Sequence, residues 1–237
     1  MKTILHKADQ RGHVNFGWLD SHHSFSFGHY YDPEKIHFGA LRVLNDDIVA
    51  GGGGFPTHPH DNMEIVSIPL YGSLEHKDSS GGQGVIRQND VQIMSAGSGI
   101  KHSEANHSQT DAVNFLQIWV IPKKRNISPR YDQKTFLPED RINKFQTVVA
   151  PADETAVWIN QDAWFSLGNL SKDFEITYKP KKEGNGLYVF VIGGEISVNG
   201  NVLQKRDAAG LSGIEIADIK ANTDAELLLI DIPMQLS

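Results

Sequence analysis

The sequence predicts an all-β protein made of two barrel or sandwich halves joined by a linker. Three observations carry that expectation. Short apolar, β-branched runs recur between Gly, Asn, Asp and Ser breaks, and no long stretch has the 3.6-residue apolar period of an amphipathic helix. One polar segment interrupts this rhythm near the middle of the chain. The runs on its two sides follow a common pattern.

In order along the chain, "IHFGALRV" (36–43) reads as a strand, followed by "DIVA" and the glycine run "GGGG" (51–54). "MEIVSIPL" (63–70) is apolar and β-branched enough for a buried strand, and "GSLEHKDS" alternates apolar with polar residues. "VIRQND", "VQIMSAG" and "NFLQIWVIP" continue the series. Residues 123–141, "KKRNISPRYDQKTFLPEDR", are polar, carry two prolines and are long for a connection inside one domain, so they read as the linker. Strands resume with "FQTVVA", "TAVWIN", "FEITYK", "LYVFVIGG", "EISVNG", "NVLQKRDAAGLSG" and "AELLLIDIP". In "VNGN" the Asn-Gly pair suits a type I′ hairpin turn, which needs positive φ at both central residues.

Laying "IPLYGSLEHKD…VIRQNDVQIMSAG" on "FVIGGEISVNGNVLQKRDAAGLSG" matches Gly72 with Gly194. His58, His60 and Glu64 then fall opposite Pro180, Lys182 and Gly186, which makes the second half a copy of the first without its polar cluster.

Composition narrows the function classes. The 237 residues carry a formal net charge of −7, which disfavours broad attraction to nucleic acid or an anionic membrane. There is no cysteine, hence no disulfide, thiolate ligand or thiol nucleophile. No signal-peptide or membrane-spanning run is evident, so a cytoplasmic protein is expected. All eleven histidines lie between His6 and His107, which confines imidazole chemistry to the first half.

"THPHDNME" places His58 and His60 at i and i+2, on one face of an extended strand and about 7 Å apart along it. Glu64 has the same parity. "GIKHSEAN" supplies a second i, i+2 pair, His102 and Glu104. A lone His-x-His is more often surface than ligand; two such pairs in β structure of one half point to a metal site. Its nitrogen and oxygen donors suit iron, manganese, cobalt, nickel, copper or zinc, and spacing leaves the choice between the two glutamates open. The other histidines take plainer roles: His22 and His23 at a rim, His76 and His107 facing solvent. "GSGIKHS" lacks the Gly-Lys-Ser/Thr order of a phosphate loop, and no nucleophile-elbow pattern is present.

"GGFPTHPHDNMEIVSIPLYG", with Gly52 immediately before it, resembles the first cupin motif, and "NDVQIMSAGSGIKHSEAN" resembles the second through Asp90, Gly97, His102 and Asn106. With "GWLDSHHSFSFGHYYDP" and "ALRVLNDD" they are similar to the pirin family of bicupins, in its bacterial branch of quercetin 2,3-dioxygenase-type proteins. Ser95 stands where the second cupin motif usually has proline.

The resemblance implies two jelly-roll barrels, residues 1–124 with the metal site and 125–237 comprising the linker and a cupin-like domain without ligands. It implies one divalent transition metal, iron(II) first and Mn, Co, Ni, Cu or Zn as alternatives. Its ligands would be His58, His60, His102 and Glu104, with Glu64 in an outer position. The implied reaction takes a flavonol such as quercetin and dioxygen, Glu104 acting as general base at the 3-hydroxyl, and releases carbon monoxide. An apolar wall from Phe25, Phe27 or Phe55 is expected beside the ring. The resemblance also implies a rival of another class, a non-enzymatic metal- or redox-sensing protein that docks on a protein partner.

Overall fold

The apolar runs fold as strands, in a computed structural model that describes residues 1–236. The first half contains β1 (Lys2–His6), β2 (Gly12–Asn15), β3 (Leu19–His23), β4 (Leu41–Val49), β5 (Gly54–His60), β6 (Glu64–Tyr71), β7 (Ser73–Asp78) and β8 (Gln83–Arg87). It continues with β9 (Asp90–Ser95), β10 (Ile100–Asn106), β11 (Val113–Val120) and β12 (Arg130–Thr135). The second half contains β13 (Phe145–Ala150), β14 (Val157–Trp158), β15 (Trp164–Leu170), β16 (Glu175–Tyr178) and β17 (Asn185–Gly193). It ends with β18 (Glu195–Val198), β19 (Asn201–Gln204), β20 (Ala208–Ser212), β21 (Ala217–Ala221) and β22 (Ala225–Pro233). Among the described residues no helix is long and apolar enough to cross a membrane.

Each half is a seven-stranded sheet facing a four-stranded one. The first pair runs β12-β9-β6-β11-β4-β3-β2 and β5-β10-β7-β8; the second runs β1-β20-β17-β22-β15-β13-β14 and β16-β21-β18-β19. The large sheets of the two halves share one core, in which Leu44, Ile68 and Leu116 cluster with Phe165, Tyr188, Phe190 and Leu228. Strands β6, β9, β17 and β22 therefore have protein on both faces and are buried almost throughout. The small sheets keep one face in water, and β10 and β21 alternate buried with exposed residues.

One strand crosses between the halves: β1 pairs with β20 of the second. β12 pairs with β9 over six residues and so belongs to the first half's sheet. β12 lies inside the segment read as a linker. It is polar because it is the edge strand of its sheet and only half-buried, which hides a strand from any pattern based on apolar residues. "IHFGALRV" becomes strand only from Leu41.

The internal repeat is visible at Gly72 and Gly194. Both have positive φ, +74° and +81°, and in both a Cβ would run into the backbone of the central strand of the large sheet, at Val113 of β11 and Ala225 of β22. By sheet order β16 and β21 are the counterparts of β5 and β10, so the ungapped match of His58 with Pro180 shifts upstream into β16. The inward positions of β21 are Ala217, Ile219 and Ala221, and the interior of the second barrel is one apolar cluster. The predicted "VNGN" turn holds, with Asn199 at φ 45° and Gly200 at φ 80°.

Candidate metal centre

β5 and β10 place three imidazoles together. His58 is the register partner of His102, and His60 that of Ile100. Ring centroids are 4.4 Å apart for His58–His102, 4.8 Å for His58–His60 and 4.9 Å for His60–His102. One nitrogen from each ring lies within 4.8 Å of the others. The register slips by one residue between His102 and Glu104, a bulge that bends β5 beside the cluster. Gly54 permits the close approach, since a Cβ there would stand 2.8 Å from Ala105 Cα.

The ring nitrogens are prepared as donors. His58 Nδ1 lies 2.8 Å from the Pro56 carbonyl, which only accepts, so Nδ1 carries the hydrogen and Nε2 keeps its lone pair. His60 Nε2 and both nitrogens of His102 are buried with no protein partner. Burial, then the neighbouring His58, pushes His60 down to about 4. Burial and the rings of His58, His60 and His76 push His102 down to about 3. Both rings are neutral at pH 7, as a metal requires of its imidazole ligands. Buried, unpartnered nitrogen lone pairs converging on one point fit a transition-metal ion.

Glu104 is fully buried two residues beyond His102. Its carboxylate accepts hydrogen bonds from Gln117 Nε2 at 2.6 Å and Ser67 Oγ at 3.2 Å. Burial raises it to about 7 against the lowering effect of those two bonds. A carboxylate oxygen lies within 4.8 Å of donor atoms of His102 and His76, so Glu104 joins the cluster on its inner side rather than among His58 and His60. Glu64 turns the other way. Its Oε2 accepts from Ser95 Oγ at 2.7 Å and from the Asn160 N–H of the second half at 3.1 Å, on the sheet face opposite to Ile65. The departure at Ser95 thus has a partner.

Several expectations change. His76 is not solvent-facing: it is 0% exposed, its Nε2 donates to Asp78 at 2.9 Å, its ring stacks on Tyr131, and its Nδ1 has no partner. The strand parity of "SLEHKD" carries that signal, because Leu74 and His76 share a face. His22 and His23 point to opposite sides of the sheet, and only His23 is buried. Phe25 belongs to the core between the halves, against His6 and Tyr188. The aromatic that touches the cluster is Trp119, edge-on to His60 at 4.8 Å, with Phe27 edge-on behind it at 5.3 Å. Phe55 packs on Trp18.

Behind the histidines, one register row of polar residues crosses the large sheet: Gln92, Ser67, Gln117, Asn45 and His23, all buried. Gln117 interrupts the apolar run "NFLQIWV", and that interruption was the readable signal. In front, an open groove of about 690 Å³ is lined by Pro59, His60, Asp61, Ser79, Gly99, Ile100 and Lys101.

Comparison with known proteins agrees with the two-barrel fold. A family model described as Pirin matches residues 5–120, and one described as quercetinase C-terminal cupin domain matches residues 147–232. The chain is 40% identical to the quercetin 2,3-dioxygenase of Escherichia coli strain K12, over 97% of this chain and 98% of that protein. It is 40% identical to a pirin-like protein of Caulobacter vibrioides, over 94% and 96%. Among solved structures, YhhW from Escherichia coli superposes with a TM-score of 0.94 at 39% identity, covering all of both chains. The same bacterial pirin in complex with nickel(II) gives 0.92 at 39% identity, over 98% and 99%. With its two-barrel fold and clustered first-half histidines, the chain belongs to the pirin family.

Proposed function

We propose that the protein is a metal-dependent dioxygenase that opens a quercetin-type flavonol and releases carbon monoxide, working at His58, His60, His102 and Glu104. The observation that carries this reading is the convergence of three imidazoles, His58, His60 and His102, beside a carboxyl group, Glu104, that burial raises to about 7. The three histidines and Glu104 would hold the ion. A divalent transition metal bound there supplies Lewis acidity toward the flavonol 3-hydroxyl. The names of the relatives and the nickel(II) complex of the bacterial pirin support both substrate and metal class.

The chain's own residues have these parts. The groove in front of His60 lies within the roughly 300–1,000 Å³ that small-molecule sites occupy, and it admits a flat polyphenol. Trp119, backed by Phe27, forms the apolar wall against His60 and keeps water from that side. Glu104, beside His102 on the inner side of the cluster, takes the 3-hydroxyl proton as the general base. Gln117 and Ser67 fix its carboxylate meanwhile. Both atoms of dioxygen then add to the deprotonated flavonol, at C2 and C4, the C2–C3 and C3–C4 bonds break, and C3 leaves with its own oxygen as carbon monoxide.

The test is aerobic incubation of the chain, loaded separately with iron, manganese, cobalt, nickel or copper, with quercetin, following flavonol absorbance. Loss of absorbance in the wild type and not in His58→Ala supports the reading. No turnover with any of these metals overturns it and returns the site to the metal-sensing, partner-docking alternative.

A further inference from the structure

A second set of nitrogen and oxygen donors lies on the outer face of the edge hairpin formed by β2 and β3. His13 and His22 are direct partners in its register, and their rings stack 4.3 Å apart at an interplanar angle of 16°. Asp20 precedes His22 by two residues and shares its face. Its Oδ1 lies 2.8 Å from His13 Nε2 and 3.7 Å from His22 Nδ1. Its Oδ2 accepts from Asn15 Nδ2 at 3.3 Å, and Asn15 is itself held by the Gly17 N–H, which donates to its Oδ1 at 2.8 Å. Strand pairing fixes the two rings, and Asn15 orients the carboxylate.

The spacing suits a common ion. Two donors each about 2.1 Å from one metal stand about 3.0 Å apart on an octahedral edge and about 3.4 Å apart on a tetrahedral one. The two measured separations, 2.8 and 3.7 Å, bracket that range, and one donor atom of each residue lies within 4.8 Å of the others. The plain reading is an exposed imidazole–carboxylate pair, which contributes little. Such a pair does not account for a second imidazole stacked against the first with its Nδ1 toward the same oxygen. The nearby cations are already engaged, Arg206 with Asp46 at 2.8 Å and Arg11 with Asp46 at 3.7 Å.

We infer that His13, Asp20 and His22 form a second divalent-metal site, separate from the barrel centre and suited to zinc, nickel or copper rather than calcium or magnesium. An ion there clamps the edge strand β2 to β3. The turn between those strands carries Trp18, edge-on at 5.2 Å to Phe55 on β5, so the clamp braces the strand that bears His58 and His60.

The test is calorimetric titration of the metal-free full chain with zinc chloride. His58→Ala/His60→Ala, which disables the barrel centre, is expected to keep one equivalent of zinc per chain. Adding His22→Ala or Asp20→Asn to that double variant is expected to abolish it, while His22→Ala alone keeps the equivalent at the barrel. Both surface side chains are more than a third exposed, so these changes are compatible with folding, and circular dichroism of each variant checks it. Absence of zinc binding in His58→Ala/His60→Ala overturns the inference, as does binding that survives both His22→Ala and Asp20→Asn.

Discussion

His58 and His102 face each other as register partners across β5 and β10, their ring centroids 4.4 Å apart. Because the pairing itself sets this separation, the histidine pocket exists before any ion enters, and the donors lose little freedom when one binds. His60 joins from the same face of β5. Metal binding should therefore stabilise the fold measurably.

At saturating nickel, about a hundredfold above the dissociation constant, the gain is about 2.7 kcal/mol, or about 5–10 °C in Tm for a chain of this size. Differential scanning fluorimetry with and without a chelator measures it. His60→Ala and His102→Ala should each lose most of the shift.

His76 donates to a buried Asp78 and stacks on Tyr131, with no exposed surface of its own. His76→Ala leaves that carboxylate without its imidazole partner and opens a void. A loss of about 2–4 kcal/mol is expected in urea unfolding, together with weaker metal retention, because His102 loses the ring packed behind it. Unchanged stability would remove His76 from the account of the centre.

Glu64 is raised from 4.5 to about 7 by burial, despite its hydrogen bonds from Ser95 and Asn160. A carboxyl raised in the fold contributes stability that is complete below its ordinary value and is lost as pH climbs through the raised one. Wild-type stability should therefore decline between about pH 5 and 8 by more than that of Glu64→Gln, the difference amounting to about 1–3 kcal/mol. Denaturant unfolding at the two pH values measures it. Metal content should be unaffected, since Glu64 faces Asn160 and not the histidines.

Trp119 meets His60 edge-on; it is half-buried, with its indole nitrogen out of solvent. Trp119→Ala should raise KM for the flavonol about tenfold or more by opening the apolar wall to water, while Trp119→Phe keeps most of the affinity. Steady-state kinetics on protein of equal metal content separates these outcomes.

Much of this was legible in the residues. Strand rhythm gave the two-barrel fold, and i, i+2 parity brought His58, His60 and His102 to one face. Parity failed for Glu64 because chain turns between β5 and β6 reverse the facing, so a glutamate four residues from His60 looks outward. β12 escaped notice because an edge strand need not be apolar. Trp119 and the polar row behind the histidines depend on contacts between distant strands, which no local pattern contains. His76 was readable from its parity with Leu74, but its neighbours Glu75, Lys77 and Asp78 made the strand look like surface.

The most direct test of the account is carbon monoxide released per quercetin consumed, measured on wild type and Glu104→Gln adjusted to equal metal content. Stoichiometric carbon monoxide from the wild type is expected. Glu104→Gln should be slower by about a hundredfold or more, as loss of a general base requires. Equal rates in the two proteins, or quercetin consumed without carbon monoxide, would show that this centre does not carry out the proposed chemistry through Glu104.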